Sequence, residues 1–129
     1  MTRKNSKQRE MLLTELRSRH DHPIAEDIYV ALKKKLPDIS LGTVYRNLSV
    51  FTESGDISRL EVNGPDRYDG NPAAHYHFAC NECGRVLDVN LPYCEELDRS
   101  VENATGAFVE RNNIIFYGTC GDCLKKKKN

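Results

Sequence analysis

Four of the five cysteines in the chain form two pairs with the same internal spacing. Two residues separate Cys80 from Cys83, two separate Cys120 from Cys123, and 36 residues lie between the pairs. Each C-x2-C turn can present two sulfur atoms to one ion, and four thiolates complete the closed tetrahedral shell of structural zinc. Two disulfides, or one redox-active C-x2-C, are the alternatives. Matched pairs in a chain expected to be cytosolic favour one structural Zn²⁺ on these four cysteines.

Histidines and aspartates form a second candidate site, in which no member is informative alone. His75 and His77 share one face of a predicted strand, and Asp88 lies on the next strand. Asp69 ends a predicted hairpin, and His22 stands at the entry to a helix. Three imidazoles and two carboxylates would suit Fe(II) or Mn(II), although zinc would bind more tightly on raw affinity. Spacing alone does not separate this site from scattered polar residues, but one shared ion would bridge the two halves of the chain.

The elements that would position these residues begin with three predicted helices. Apolar residues recur at helical spacing over 5–19 and over 24–36. The third helix follows Ser40 as its N-cap and ends at Gly55. Opposite its apolar face, this helix offers hydroxyl, guanidinium and amide groups. The residues concerned are Thr43, Tyr45, Arg46 and Asn47.

A predicted hairpin follows the third helix. Residues 57–62 alternate as a strand, Asn63-Gly64 is typical of a tight turn, and 67–69 returns. Three helices and a hairpin are typical of a winged helix-turn-helix, whose last helix enters the major groove of DNA. There, arginine can bind guanine and asparagine can bind adenine. A helical bundle whose polar face only meets water is the alternative, but the order of elements favours DNA binding.

The second half reads as a separate α/β domain. Residues 70–74, Gly-Asn-Pro-Ala-Ala, are typical of a linker. One helix is predicted over 93–105, and the tail 125–129 is predicted to be unstructured. Strands are predicted at 75–80, 85–89, 108–110 and 114–117. The whole chain is therefore expected to be α+β, with domains at 1–69 and 75–129 joined by a hinge at 70–74.

Composition and charge limit the classes of protein that fit. No apolar run approaches the ~18 residues needed to span a bilayer, and the first residues lack the apolar core of a signal peptide, so we expect a cytoplasmic protein without a membrane partner. Residues 1–60 carry 11 Lys+Arg against 8 Asp+Glu, and residues 61–129 carry 8 against 11. A basic first half and an acidic second half suggest separate tasks, although solvated surface explains so modest an imbalance equally well.

Four segments resemble the ferric uptake regulator family, in the family's order and over nearly the whole chain. They are Asp21–Tyr29, Gly42–Leu48, His75–Gly84 and Cys120–Cys123. Within the family the chain looks most like the peroxide-sensing repressor branch. Asp69 and Asp88 stand where iron-uptake regulators typically have glutamate. The resemblance implies a winged-helix DNA-binding domain followed by a zinc-containing dimerisation domain.

The resemblance also implies a mechanism. Fe(II) or Mn(II) would occupy the mixed site formed by His22, Asp69, His75, His77 and Asp88. The metal-loaded homodimer would repress by binding operator DNA, which two-fold symmetry predicts to be palindromic. Hydrogen peroxide would react at bound Fe(II) and oxidise His22 or His75, after which the metal and then the DNA would be released. The Mn(II) form would repress but resist peroxide.

Two other interpretations remain from the sequence. A metal-homeostasis repressor for iron, manganese or zinc would share the architecture without peroxide chemistry. An enzyme with a catalytic metal is disfavoured, because five protein ligands leave at most one open position and no general base stands beside them. Asn90 and the stretch 110–113 lack the histidines that some relatives use for a third metal. We therefore predict two metals per subunit and no catalytic turnover.

Overall fold

The chain divides into two compact units, Met1–Pro72 and Ala73–Asn129, called unit 1 and unit 2 below. The computed structural model describes residues 3–71 and 76–127. The predicted ligand His75 and positions 72–74 of the predicted hinge lie outside these described residues.

Unit 1 contains three helices and then a hairpin, in the predicted order. Its elements are α1 Arg3–Arg17, α2 Ala25–Lys33, α3 Leu41–Ser54, β1 Ser58–Leu60 and β2 Arg67–Asp69. The predicted limits of α3 are confirmed. The Ser40 hydroxyl accepts a hydrogen bond from the Thr43 N–H at 3.1 Å, and Gly55 ends the helix in the left-handed conformation at φ 83°. The second helix is shorter than predicted.

One hydrophobic core joins the three helices to the hairpin. Leu12 and Leu16 of α1, Ile28 of α2 and Leu48 of α3 are all fully buried within it. Strands β1 and β2 pair antiparallel, and Tyr68 of β2 also belongs to the core. Three helices packed on a two-stranded wing confirm the predicted winged helix-turn-helix within an α+β fold.

Unit 2 is built on a three-stranded sheet in the order β4-β3-β5. Its elements are β3 Tyr76–Cys80, β4 Val86–Val89, α4 Glu95–Thr105, β5 Ile115–Gly118 and α5 Gly121–Lys127. Strand β3 pairs antiparallel with β4 and parallel with β5. The central strand β3 therefore leads directly into the first C-x2-C turn, and the second turn follows β5.

Two local predictions for unit 2 were wrong. Residues 108–110 do not form a strand; the Val109 N–H instead donates to the Glu102 carboxylate at 3.0 Å, so the β-prone run is bonded to the end of α4. The lysine tail is helical as far as Lys127, in α5. The second C-x2-C segment forms the start of this helix, and an ion pair from Lys127 to Glu82 at 2.7 Å holds its other end.

The described part of unit 2 buries few apolar side chains. Neither α4 nor α5 contains a buried residue, and the hydrophobic core cluster of the described residues lies in unit 1. Large apolar side chains of unit 2 are exposed instead: Leu91, Leu97, Val101, Phe108, Phe116, Tyr117 and Leu124. So small a unit with so little core needs further stabilisation from a metal or a partner.

Candidate metal centres

The four paired cysteines meet at one edge of unit 2. Cys80 ends β3, Cys83 is the last residue of the turn that follows, and Cys120 and Cys123 flank the start of α5. Their four Sγ atoms all lie within 4.8 Å of one another. The Sγ atoms are 3.8 Å apart in both the Cys80–Cys123 pair and the Cys83–Cys120 pair.

These distances fit a tetrahedral zinc ion. Four thiolates about 2.3 Å from one zinc are separated from each other by about 3.8 Å. A disulfide would need sulfur atoms about 2.05 Å apart, and all four cysteines are free. The donor set and its geometry therefore match a closed zinc shell of four thiolates, with no position left for substrate.

The thiol pKa values show why a cation belongs among these sulfurs. Backbone N–H groups of Cys83 and Cys120 lower the pKa of Cys80 to about 6, and the Cys120 N–H lies 3.3 Å from the Cys80 sulfur. In contrast, the neighbouring cysteine sulfurs, first that of Cys120, raise the pKa of Cys123 to about 12. The Cys123 thiol therefore needs a positive charge among the sulfurs to ionise at neutral pH, and zinc would supply that charge.

Two ion pairs outside the shell connect the cysteine turns. Arg85 Nη1 lies 2.9 Å from the Asp122 carboxylate, and Lys127 Nζ lies 2.7 Å from the Glu82 carboxylate. In each pair, one member lies in or just after the Cys80–Cys83 turn, and the other lies in α5. Sequence reasoning missed both pairs, although each member stands within four residues of a cysteine.

Unit 1 holds one histidine–aspartate pair of the predicted mixed site. Asp69, the last residue of β2, places Oδ2 3.5 Å from Nε2 of His22. The two side chains are 4% and 11% exposed, so the pair is almost fully enclosed. Gly70 fixes the end of β2 against α1, because a Cβ at Gly70 would lie 2.8 Å from the backbone of Arg17.

Unit 2 holds a second such pair. His77 of β3 and Asp88 of β4 are direct partners in the antiparallel register. His77 Nε2 lies 3.4 Å from Asp88 Oδ1, with the imidazole 1% exposed and the carboxylate 46% exposed. Adjacent strands thus position this pair, as the predicted strand pattern required.

The two pairs fit metal ligation in chemistry and spacing. Two nitrogen or oxygen ligands about 2.1 Å from one ion, at a roughly tetrahedral angle, lie about 3.4 Å apart. The histidine–aspartate distances in both units are close to this value. Imidazole and carboxylate donors without thiolate are the set that Fe(II) and Mn(II) accept. Each pair alone offers two protein ligands, so a stable site needs further donors.

The predicted DNA-contacting residues on α3 differ in how far their side chains are exposed to solvent. Arg46 is exposed, and Tyr45 is 43% exposed with its hydroxyl donating to the Glu26 carboxylate at 2.6 Å. The prediction that the Asn47 side chain faces away from the core needs correction. Asn47 is 5% exposed, and its Oδ1 accepts a hydrogen bond from Arg9 Nε at 3.2 Å. Helix α1 covers it, so Asn47 stabilises the helix packing.

Over residues 3–71 and 76–127, none of the helices combines the length and the hydropathy that a membrane-spanning helix requires.

The chain is similar in sequence and in structure to known peroxide-responsive regulators. The chain is 37% identical over 123 residues, 95% of its length, to the peroxide operon regulator of Bacillus subtilis, of which it covers 85%. It is 37% identical over 120 residues, 92% of its length, to the peroxide-responsive repressor PerR of Staphylococcus aureus, of which it covers 81%. The Campylobacter jejuni peroxide stress regulator superposes with a TM-score of 0.80 at 32% identity, covering 93% of this chain and 91% of that one.

The similarity extends to an iron regulator. The Helicobacter pylori ferric uptake regulator Fur, a protein with three functional metal-binding sites, has a TM-score of 0.77 at 26% identity, covering 92% of this chain and 80% of that one. The sequence model of the ferric uptake regulator family matches residues 1–117. The chain belongs to the ferric uptake regulator family.

Proposed function

We propose that this chain is a metal-dependent transcriptional repressor that senses hydrogen peroxide by oxidation of a histidine ligand. The observation that carries the proposal is the histidine–aspartate pair in each unit, 3.5 Å and 3.4 Å across. Neither pair includes a thiolate, so both suit Fe(II), the ion that reacts readily with peroxide. The peroxide regulators named above, at 37% identity over most of the chain, support the same function.

The regulatory ion is proposed to take ligands from both units. The full set is His22, Asp69, His75, His77 and Asp88. Residues 1–69 would form the DNA-binding domain, 70–74 the hinge and 75–129 the dimerisation domain. An ion held by both units fixes the angle between them, and its loss frees the hinge. The ion can raise DNA affinity only if it binds the DNA-competent arrangement of the units more tightly than other arrangements. The size of the increase is limited by that difference in metal affinity.

The proposed partner is double-stranded operator DNA, bound by a cytoplasmic homodimer. The exposed apolar side chains of α4 and β5 in unit 2, among them Val101 and Phe116, support a second copy as the partner of that surface. A two-fold dimer presents two copies of α3 and prefers a palindromic operator. On each α3, Thr43, Tyr45 and Arg46 are the proposed contacts.

The peroxide response is proposed as a single stoichiometric event, so the protein is not an enzyme. Bound Fe(II) would supply the one-electron chemistry that cleaves the O–O bond of peroxide, while the histidine ring would be the net electron donor. Over the whole step, one ring C–H bond would become C–OH with one peroxide oxygen, and the other peroxide oxygen would leave as water. His22 and His75 are the proposed oxidation sites. The oxidised ring is a poorer ligand, so the ion and the DNA are released.

Peroxide treatment of two metal forms tests this function. The Fe(II)-loaded protein is expected to lose operator binding in a gel-shift assay after brief exposure to hydrogen peroxide. The Mn(II)-loaded protein is expected to bind as before, since Mn(II) does not run this chemistry readily. Equal resistance of both forms would contradict peroxide sensing.

That outcome would favour the second candidate, a repressor for iron, manganese or zinc homeostasis. The Helicobacter pylori Fur superposition supports this candidate, because the same fold there belongs to a ferric uptake regulator. Operator affinity that is the same with and without metal would contradict both candidates.

Arg46→Ala is expected to weaken operator binding while leaving metal affinity intact. Arg46 is exposed on α3, and loss of a bidentate base contact costs about 1–3 kcal/mol. Fluorescence anisotropy with a palindromic operator measures the change, and Mn(II) titration provides the control. Unchanged operator affinity, or a parallel loss of Mn(II) affinity, would contradict the assignment.

A further inference from the structure

One short strand of the wing contacts both the side chain and the backbone of His22. Asp69 and Arg67, two residues apart on β2, lie on the same face of that strand. The Asp69 carboxylate lies 3.5 Å from the His22 imidazole. Arg67 Nη1 donates a hydrogen bond to the His22 carbonyl oxygen at 3.0 Å, across 45 positions of sequence. The strand therefore fixes the ring and the main chain of His22 together.

The backbone of His22 needs such restraint. Among the described non-glycine residues, His22 is the one at positive φ, 51°. L-residues other than glycine seldom adopt this left-handed region, and they keep it where surrounding contacts over-determine it. The main chain adds two such contacts beside Arg67: the Tyr68 N–H donates to the Pro23 carbonyl at 2.9 Å, and Ile24 forms a β-bridge with Arg67.

We infer that Arg67 is a positioning residue for the regulatory metal, acting through the backbone of His22. The inference rests on the proposed function, because it takes His22 as a ligand. The guanidinium does not need to touch the ion. Its hydrogen bond to the His22 carbonyl oxygen restrains the backbone of His22 in the left-handed conformation. This conformation directs the imidazole towards Asp69. Without the guanidinium, the segment can relax to an ordinary conformation, and the ring loses its place beside the carboxylate.

Mn(II) titration of the zinc-containing chain, with both units present, tests the inference. Arg67→Met removes the donor and keeps most of the aliphatic stem, whereas Arg67→Lys keeps one donor and the charge on a shorter stem. Arg59→Met is the matched control, since Arg59 lies on the other strand of the same wing and pairs with Glu61 and Asp66. Visible absorption of the Co(II)-substituted proteins at saturation reports the ligand set.

Arg67→Met is expected to weaken Mn(II) binding about tenfold, as loss of a residue that orients a metal ligand commonly does. Arg67→Lys should fall between wild type and Arg67→Met, and Arg59→Met should match wild type. The Co(II) spectrum should change in Arg67→Met at unchanged zinc content. A general loss of stability would leave the spectrum of the saturated site unaltered, so the spectrum separates positioning from a merely structural role.

Unchanged Mn(II) affinity in both Arg67 variants would overturn the inference, as would an equal loss in Arg59→Met. If Arg67→Met does not fold, Arg67→Lys decides: weaker Mn(II) binding at full zinc content supports the inference, and wild-type binding overturns it. Failure of the proposed function would give a different result. In that case the wild-type protein would bind Mn(II) but show no metal-dependent DNA binding, whatever the Mn(II) affinity of the Arg67 variants.

Discussion

His22→Ala is expected to abolish metal-dependent operator binding while the protein stays folded and keeps its zinc. His22 belongs to unit 1, the unit that contains α3, and its imidazole is 4% exposed beside Asp69. Under the proposed function, it is one of two ligands that let the ion hold unit 1. Without His22 the ion no longer prefers the DNA-competent arrangement, so the metal-dependent gain in affinity, about 5- to 150-fold in typical coupled systems, is lost.

Operator titrations with and without Mn(II) measure this loss. His20→Ala is the matched control, because His20 is exposed and stands only two residues away. It should respond to Mn(II) as the wild type does. A His22→Ala protein that still binds the operator more tightly with Mn(II) would remove His22 from the regulatory site.

Cys80→Ser is expected to lose zinc and with it the folded state of unit 2. The described residues of unit 2 have a sparse apolar core, and α4 and α5 contain no buried residue. Structural zinc contributes about 10–16 kcal/mol in small zinc-dependent domains. That contribution is comparable to the whole net stability of a typical domain, ~5–15 kcal/mol. The exposed apolar surface of unit 2 cannot offset such a loss, so the proposed dimer should dissociate.

Zinc content, sedimentation and thermal unfolding by circular dichroism measure these effects on the same sample. Cys94→Ser is the matched control, because Cys94 is exposed and stands outside the four-sulfur cluster. It should keep zinc, the oligomeric state and the unfolding transition. A Cys80→Ser protein that remains a folded dimer without zinc would show that the four-sulfur cluster is not structural.

Sequence reasoning located the features that depend on local patterns. The two C-x2-C turns identify their sulfurs without knowledge of the fold, because each turn is local. The 3.4 Å pairing of His77 with Asp88 follows from two adjacent strands joined by a short turn. The limits of α3 follow from a serine N-cap and a glycine C-cap, which act within one helical turn.

Features that depend on distant partners were missed or misjudged. The periodicity of α3 cannot reveal that α1 covers Asn47 through Arg9, 38 positions away. The carbonyl oxygen of the left-handed His22 accepts a hydrogen bond from Arg67, which lies 45 positions away. The β-prone run at 108–110 lacks a strand partner, and its backbone bonds to Glu102 instead. In each case a tertiary contact outweighs the local propensity.

Peptide mass spectrometry after peroxide treatment tests peroxide sensing at the histidine ligands most directly. Fe(II)-loaded and Mn(II)-loaded proteins are exposed to the same hydrogen peroxide, digested and compared with untreated samples. Peroxide sensing at these ligands predicts one added oxygen on the peptide containing His22 or the peptide containing His75, in the Fe(II) form alone and in proportion to the operator binding lost. Unmodified histidine peptides in an Fe(II) form that has released its operator would contradict it.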